Sequence, residues 1–321
     1  MMDSNDYYKT GMKAYTEHNY DKAQKLFEQA IKLNDPKAMC KLAVMYKQGQ
    51  GVQQDYDKAI ELFEQAAQLN NSKAMYNLGC IYVEGPDVKR DYKKAVKYYE
   101  QASELKNSNA MNSLGAMYYY GKGTKQNYDK AIELFERAIK LSNSCAMDSL
   151  AILYQEGKGV KQDYKKAREL FEQAIKLKNS SSMNDLGIMY EKGIGVKQDH
   201  NKARELYEQA IKLNNKNAMH NLALMYQNGK FGDNGIVKCI ELYDKLYIKD
   251  NTLLNRLATG LTKEGSEELI KVLIKERNEK HNLIEQQKLR IKYLEDELLA
   301  KKYEPGGEGY LEAKAHFEQC L

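Results

Sequence analysis

The chain has 321 residues, 42% apolar and 30% charged, enough of each to bury a core and solvate a surface. Its 50 Lys and Arg against 45 Asp and Glu leave a net charge of +5, mixed along the chain rather than gathered on one face, which argues against nucleic acid as a partner. The opening residues, MMDSNDYYKT, carry no basic or apolar leader, and no run of about 18 apolar residues occurs, so neither a signal peptide nor a membrane span is expected. Five cysteines (Cys40, Cys80, Cys145, Cys239 and Cys320) make no CxxC spacing; reduced thiols in an intracellular, cytoplasmic protein are expected, not a disulfide or zinc framework.

From the N-terminus, about residues 5–34 read as a short helical hairpin, in which Gly11 to Ala23 spans 12 residues where the matching step Ala43 to Ala59 spans 16. One phrase then recurs at a step of 36: Tyr20, Tyr56, Tyr92, Tyr128 and Tyr164, with His200 and Ile236 in the next two slots. A second phrase keeps the step at Ala38-Met39, Ala74-Met75, Ala110-Met111, Ala146-Met147, Ser182-Met183 and Ala218-Met219. Self-similarity at a period of about 20–50 residues marks stacked repeats. Within residues 36–71, Pro36 suits a first helical turn, and Ala38, Met39, Leu42, Ala43, Met45 and Tyr46 form one apolar face at steps of three and four. Gly49 and Gly51 stop that helix, because glycine accepts left-handed backbone. Asp55 is placed to cap a second helix, whose apolar face holds Tyr56, Ala59, Ile60, Phe63, Ala66, Ala67 and Leu69. The unit is a hairpin of helices A and B, and neither buries its stripe without a stacked neighbour. The loops at Glu84–Tyr92 and Asn228–Ile236 lose the second glycine, so their turns are expected to bend differently.

The phrase A-M-x-x-L-[AG]-x-M-Y-x-x-G-x-G-V-x-Q-D-Y-x-K-A-x-x-[LY]-[FY]-E-Q-A stands nearly complete at Ala38–Ala66 and Ala146–Ala174. These residues resemble the Sel-1-like repeat family, a branch of the tetratricopeptide type of α-solenoid, over roughly residues 5–250. The resemblance implies an all-α fold, a right-handed α-solenoid of antiparallel hairpins, and an adaptor that assembles protein complexes. Residues 1–250 then form the repeat array, with the first hairpin, which lacks the G-x-G insertion, as an N-terminal cap. A cysteine-rich secreted branch of the family pairs cysteines within each repeat, and this chain has no such pairs.

Three slots on helix A vary while their neighbours recur. The first holds Cys40, Tyr76, Asn112, Asp148, Asn184 and His220; the second Lys41, Asn77, Ser113, Ser149, Asp185 and Asn221; the third Lys47, Val83, Tyr119, Gln155, Glu191 and Gln227. In tetratricopeptide arrays helix A lines a concave groove, so the resemblance implies that these slots, from Tyr76 onward, face a peptide or a partner helix. The plainer alternative is a solvated surface under no demand. Most of the 13 methionines and 25 tyrosines sit at fixed slots and are expected in the core.

Beyond Asp250 the phrase fades. Residues 251–303 read as a worn A helix, NTLLNRLATGL, that closes the stack, and then a long heptad-bearing helix. In it Ile270, Leu273, Arg277, Lys280, Ile284, Gln287, Ile291, Leu294 and Leu298 alternate steps of three and four. That series predicts a coiled-coil homo-oligomer joined through 266–302, with Ile270, Leu273, Ile284, Ile291, Leu294 and Leu298 in the seam; a single helix lying against the last repeats, or protruding without a partner, is the alternative. Pro305-Gly306-Gly307 ends the helix, and within 304–321 Tyr310, Ala313 and Phe317 repeat B-helix spacing, to pack in cis, in trans, or to dock elsewhere.

No catalytic set is visible. His18, His200, His220, His281 and His316 make no H-x-x-x-H pair and lie near no Cys pair, so no metal is expected. The loops GKGTKQ and GKGVKQ follow a helix rather than a strand and lack the phosphate-loop pattern. The sequence points to a scaffold without catalysis or cofactor that holds protein or peptide partners. An enzyme accessory or hydrolase of the repeat family and a structural component of a large assembly are the alternatives.

Overall fold

The computed structural model describes residues 2–86 and 90–231, with residues 238 and 242 singly beyond them. Among the described residues there are thirteen α-helices and no strand. The A helices are α1 (Ser4–Thr16), α3 (Pro36–Gln48), α5 (Ser72–Glu84), α7 (Ser108–Tyr120), α9 (Ser144–Glu156), α11 (Ser180–Lys192) and α13 (Lys216–Gln227). The B helices are α2 (Tyr20–Lys32), α4 (Tyr56–Gln68), α6 (Tyr92–Glu104), α8 (Tyr128–Ile139), α10 (Tyr164–Lys176) and α12 (His200–Lys212). Through α12, each A helix packs along the B helix that follows it, and from α2 to α10 each B helix packs on the next A helix, making an α-solenoid of hairpins. The chain divides into two compact units, Met1–Leu222 and Ala223–Leu321, with α13 crossing the division. The heptad seam from Ile270 to Leu298 and the tail 304–321 lie outside the described residues.

The repeated letters have separate physical jobs. Small residues sit in A helices where B-helix rings approach. A Cβ on Gly115 would fall 2.6 Å from Phe135 Cε1, and one on Gly187 2.7 Å from Tyr207 Cε1. Glycine lowers helix propensity by about 1 kcal/mol against alanine; here it lets the ring bury fully, and Phe27 beside Gly11 and Tyr207 beside Gly187 have no exposed surface. At the A-to-B turn, Gly49, Gly121, Gly157 and Gly193 take φ of 67° to 71° as helix C-caps. The glutamine of the Q-D-Y phrase closes the turn. Gln54, Gln126, Gln162 and Gln198 donate Nε2 to the carbonyls of Lys47, Tyr119, Gln155 and Glu191, at 2.9, 2.8, 2.9 and 2.7 Å. The turn at Gly85 does bend differently, with φ −64° and ψ 174°. The first hairpin links α1 to α2 through residues 17–19 alone, with His18 at φ 59°.

From α5 onward the A helices start with Asn, whereas α1, α3 and most B helices are capped by Asp. Asp55, Asp91, Asp163 and Asp199 only accept, from the first-turn N–H groups of α4, α6, α10 and α12. The Asn caps from α5 onward also donate. Asn107 Oδ1 accepts from Ala110 N–H at 3.0 Å, while its Nδ2 donates back to Ser72 O at 3.1 Å, one repeat earlier. Asn71 donates likewise to Pro36 O and Asn215 to Ser180 O, at 3.0 and 2.9 Å. Asn107→Asp is therefore expected to lose about 1 kcal/mol in urea unfolding, because the cap survives but the donor becomes a carboxylate facing a carbonyl. Asn127→Asp, at a B-helix cap whose side chain accepts from Lys130 N–H, is expected to be neutral or mildly stabilising. Equal effects at the two sites would refute the two-sided role of the A-helix cap.

Candidate functional site

The variable A-helix slots are not freely solvated. Tyr76, Asn112, Asp148, Asp185 and Glu191 are half-buried and Asn184 is buried. Their side chains bond to one another from unit to unit. The Tyr76 hydroxyl lies beside Ser113. Ser149 Oγ donates to Asn112 Oδ1 at 3.2 Å, and Asn221 Nδ2 donates to Asn184 Oδ1 at 2.9 Å. Each bond joins the first slot of one unit to the second slot of the next, 37 residues on, and together they make a polar ladder along the A helices.

One rung joins two carboxylates. Asp148 faces Asp185, so each turns to a different neighbour: Ser182 Oγ donates to Asp148 Oδ1 at 2.5 Å, and Asn184 Nδ2 donates to Asp185 Oδ1 at 2.9 Å. Burial lifts the Asp148 carboxyl to about 6, with the Ser182 bond pulling against it and the Asp185 charge adding to it. Burial also raises Asp185, against the Asn184 bond. At the other end of the face Cys40 is buried, and burial pushes its thiol up to about 11 despite Lys73 and Lys41, so it is a poor nucleophile.

The third slot makes a different set of contacts. Tyr119 donates its hydroxyl to Glu156 Oε2 at 2.6 Å and accepts from Lys158 Nζ at 2.9 Å, and Lys158 pairs with Glu156 at 2.9 Å. Glu191 accepts the buried Tyr207 hydroxyl at 2.7 Å. Gln155 contributes its carbonyl to Gln162, and Val83 packs half-buried on the core. Asn77 Nδ2 turns back to Lys73 O at 2.8 Å within α5. His220 is half-buried on α13, and Gln227 ends that helix. The structure thus brings Tyr76 with Ser113, Asn112 with Ser149, Asp148 with Asp185 and Asn184 with Asn221. Tyr119, Gln155 and Glu191 each bond elsewhere in their own neighbourhoods. The closing glutamines and the back-donating asparagines were visible as recurring letters, but nothing in one column of letters says where an amide points.

The Sel1 repeat pattern matches residues 6–35, 36–71, 72–107, 108–143, 146–179, 180–215 and 216–251. The chain belongs to the Sel1 repeat family. A Sel1 repeat protein from Oxalobacter formigenes superposes with a TM-score of 0.67 at 28% identity, over 75% of this chain and 99% of that one. The c5321 protein of uropathogenic Escherichia coli, a protective antigen with the same fold, gives a TM-score of 0.62 at 25% identity, over 86% of this chain and 62% of that one. No curated protein matches the chain. As a Sel1 array with a tetratricopeptide-like build, it is a repeat scaffold of a kind that typically mediates protein interaction. Among the described residues no helix is long and apolar enough to cross a membrane, and no three His, Cys, Asp or Glu side chains converge as metal ligands.

Proposed function

We propose that this Sel1 array is a non-catalytic adaptor whose A-helix face holds an extended or helical segment of a partner protein. One observation carries the reading. The core and turn slots repeat from unit to unit, while the A-face slots present a different pair at each step: Tyr76 and Ser113, Asn112 and Ser149, Asp148 and Asp185, Asn184 and Asn221. A surface that needs only solubility has no use for half-buried polar pairs that differ at every rung. A partner lying across the rungs would read them in order, as grooves read extended peptides. The array over 1–250 binds, in this proposal, and copies join through 266–302 into a multivalent scaffold.

Selection of displayed random peptides on the intact chain tests this. Peptides recovered should lose binding by at least about tenfold when Asn112 and Ser149 are both replaced by Arg, and keep it when the B-helix residues Glu133 and Lys165 are. Peptides insensitive to the A-face pair would sink the proposal for the face. Light scattering of the same preparation reads the mass, and a monomer would remove the joining of copies.

A further inference from the structure

A hollow of about 850 Å³ opens on the A-helix face between α1, α3 and α5, and the first turn of α7 closes its far end. Four lysines line it and no Asp or Glu does: Lys37 and Lys41 from α3, Lys73 from α5, and Lys106 from the turn before α7. Among the described residues none of the four is in an ion pair. Lys41 is held over the Tyr15 ring, 3.7 Å from its centroid, and burial lowers its pKa. Asp35, two residues before Lys37, is buried and already accepts from the N–H groups of Lys37 and Ala38, at 2.8 and 3.0 Å. The starting turns of three A helices also border the hollow, and their partial positive charge adds to that of the lysines.

The fold itself does not require this charge. In the column of Lys37 and Lys73, later units carry Asn109, Cys145 and Ser181, and in the column of Lys41 they carry Ser149 and Asp185. The same face therefore runs from positive at its first units to negative at Asp148, Asp185 and Glu191. Like charges gathered in one concavity repel, and an anion placed among them removes that repulsion. Tyr76 and Met12 supply an apolar floor on which side-chain stems could lie.

We infer that this hollow binds an acidic segment of a partner protein, its Asp and Glu carboxylates pairing with Lys37, Lys73 and Lys106. The inference rests on the A-helix face being the partner surface, and gives that partner's chemistry at the first three units. A nucleic acid fits less well, because its continuous backbone charge would run on toward Asp148 and Asp185.

The test is a titration of fluorescent hexaglutamate against the intact chain, read by anisotropy, with hexalysine and a hexathymidylate oligonucleotide beside it. Hexaglutamate should bind and hexalysine should not. K37E/K73E should weaken hexaglutamate binding by at least about tenfold, while K93E/K165E should leave it within about twofold. The control makes the same charge change at the same second position of B helices α6 and α10, on residues as exposed as Lys37 and Lys73. A glutamate in a first turn is favourable to its helix, so lost binding in K37E/K73E is not lost fold; an undiminished melting midpoint checks this. Absent hexaglutamate binding, equal losses in both double variants, or tighter binding of the oligonucleotide overturns the inference. If hexaglutamate fails while selected neutral or basic peptides still depend on Asn112 and Ser149, the acidic partner is wrong and the wider reading of the face stands.

Discussion

Gly123→Ala is expected to destabilise the array by about 3 kcal/mol, against about 1 kcal/mol for Gly121→Ala two residues earlier. Both glycines have left-handed backbone, at φ 70° and 68°. An L-residue there is strained wherever it stands, so the conformational part of the loss is shared. The surroundings differ. A Cβ on Gly121 would lie 3.3 Å from both the Cβ and the backbone N of Gln126, close contacts that the turn relieves by giving a few tenths of an ångström. A Cβ on Gly123 would land on the carbonyl and Cβ of Tyr92, the first residue of α6 in the preceding unit. Backbone cannot swing aside, so the stacking of two units must loosen. Gly195 and Gly159 face the corresponding Tyr164 and Tyr128, but there a Cβ would meet side-chain atoms, the tyrosine Cβ first, rather than a backbone carbonyl. Repeat arrays lose cooperativity, so urea midpoints should be paired with hydrogen exchange in α6 and α8. The extra loss at Gly123 should appear as faster exchange on both sides of that junction. Equal losses for the two variants would show that the left-handed backbone alone explains both glycines.

That junction shows what the sequence could and could not disclose. Helix starts were legible because a start is a local event: Asp55 caps α4 and Pro36 opens α3, each as its own few residues require. The stops at Gly49, Gly121, Gly157 and Gly193 were legible for the same reason. The recurring tyrosines Tyr20, Tyr56, Tyr92, Tyr128 and Tyr164 pack half-buried against the core, as their fixed slots led one to expect, and all but Tyr56 also close on a turn glycine of the next unit. Columns spaced by 36 residues display what each unit has in common. Contacts between units run at other offsets: 31 from Tyr92 to Gly123, 35 from Ser72 to Asn107, 37 from Asn112 to Ser149. No single column contains such a pair. The variable slots could be found, because they break the pattern, but their pairing into a ladder needs the geometry of one hairpin on the next. The absence of a lysine-matched acid around Lys37, Lys41, Lys73 and Lys106 is hidden for the same reason, since those residues come from two successive units.

Asp148→Asn is expected to stabilise the array by about 2 kcal/mol at pH 7 and to have little effect near pH 4. Burial and the facing Asp185 hold the Asp148 carboxyl at about 6, above the ordinary carboxylate value. Between the two values the folded chain binds a proton that the unfolded chain has lost. Stability from this group is therefore present below the unfolded value and is lost as pH rises through about 6. Asparagine keeps an oxygen for the Ser182 hydroxyl and removes the charge from beside Asp185, and it also frees Cys145 of the anion that helps raise its pKa. The N-cap carboxylates work the other way. Backbone N–H donors and Lys58 hold Asp55 below its ordinary value, so its contribution is lost on acidification. The wild-type pH curve mixes both trends, and the difference between wild type and Asp148→Asn isolates the rung. Urea midpoints of the two chains from pH 4 to pH 8 should converge at the acid end and separate through the region around pH 6. A constant separation would mean that Asp148 is already ionised across the range, and that the rung is wet enough to hold two charges. If the curves do separate, the array carries buried negative charge at a fixed point on its A face for the sake of something other than its own stability, which is the expected mark of a surface shaped for a partner.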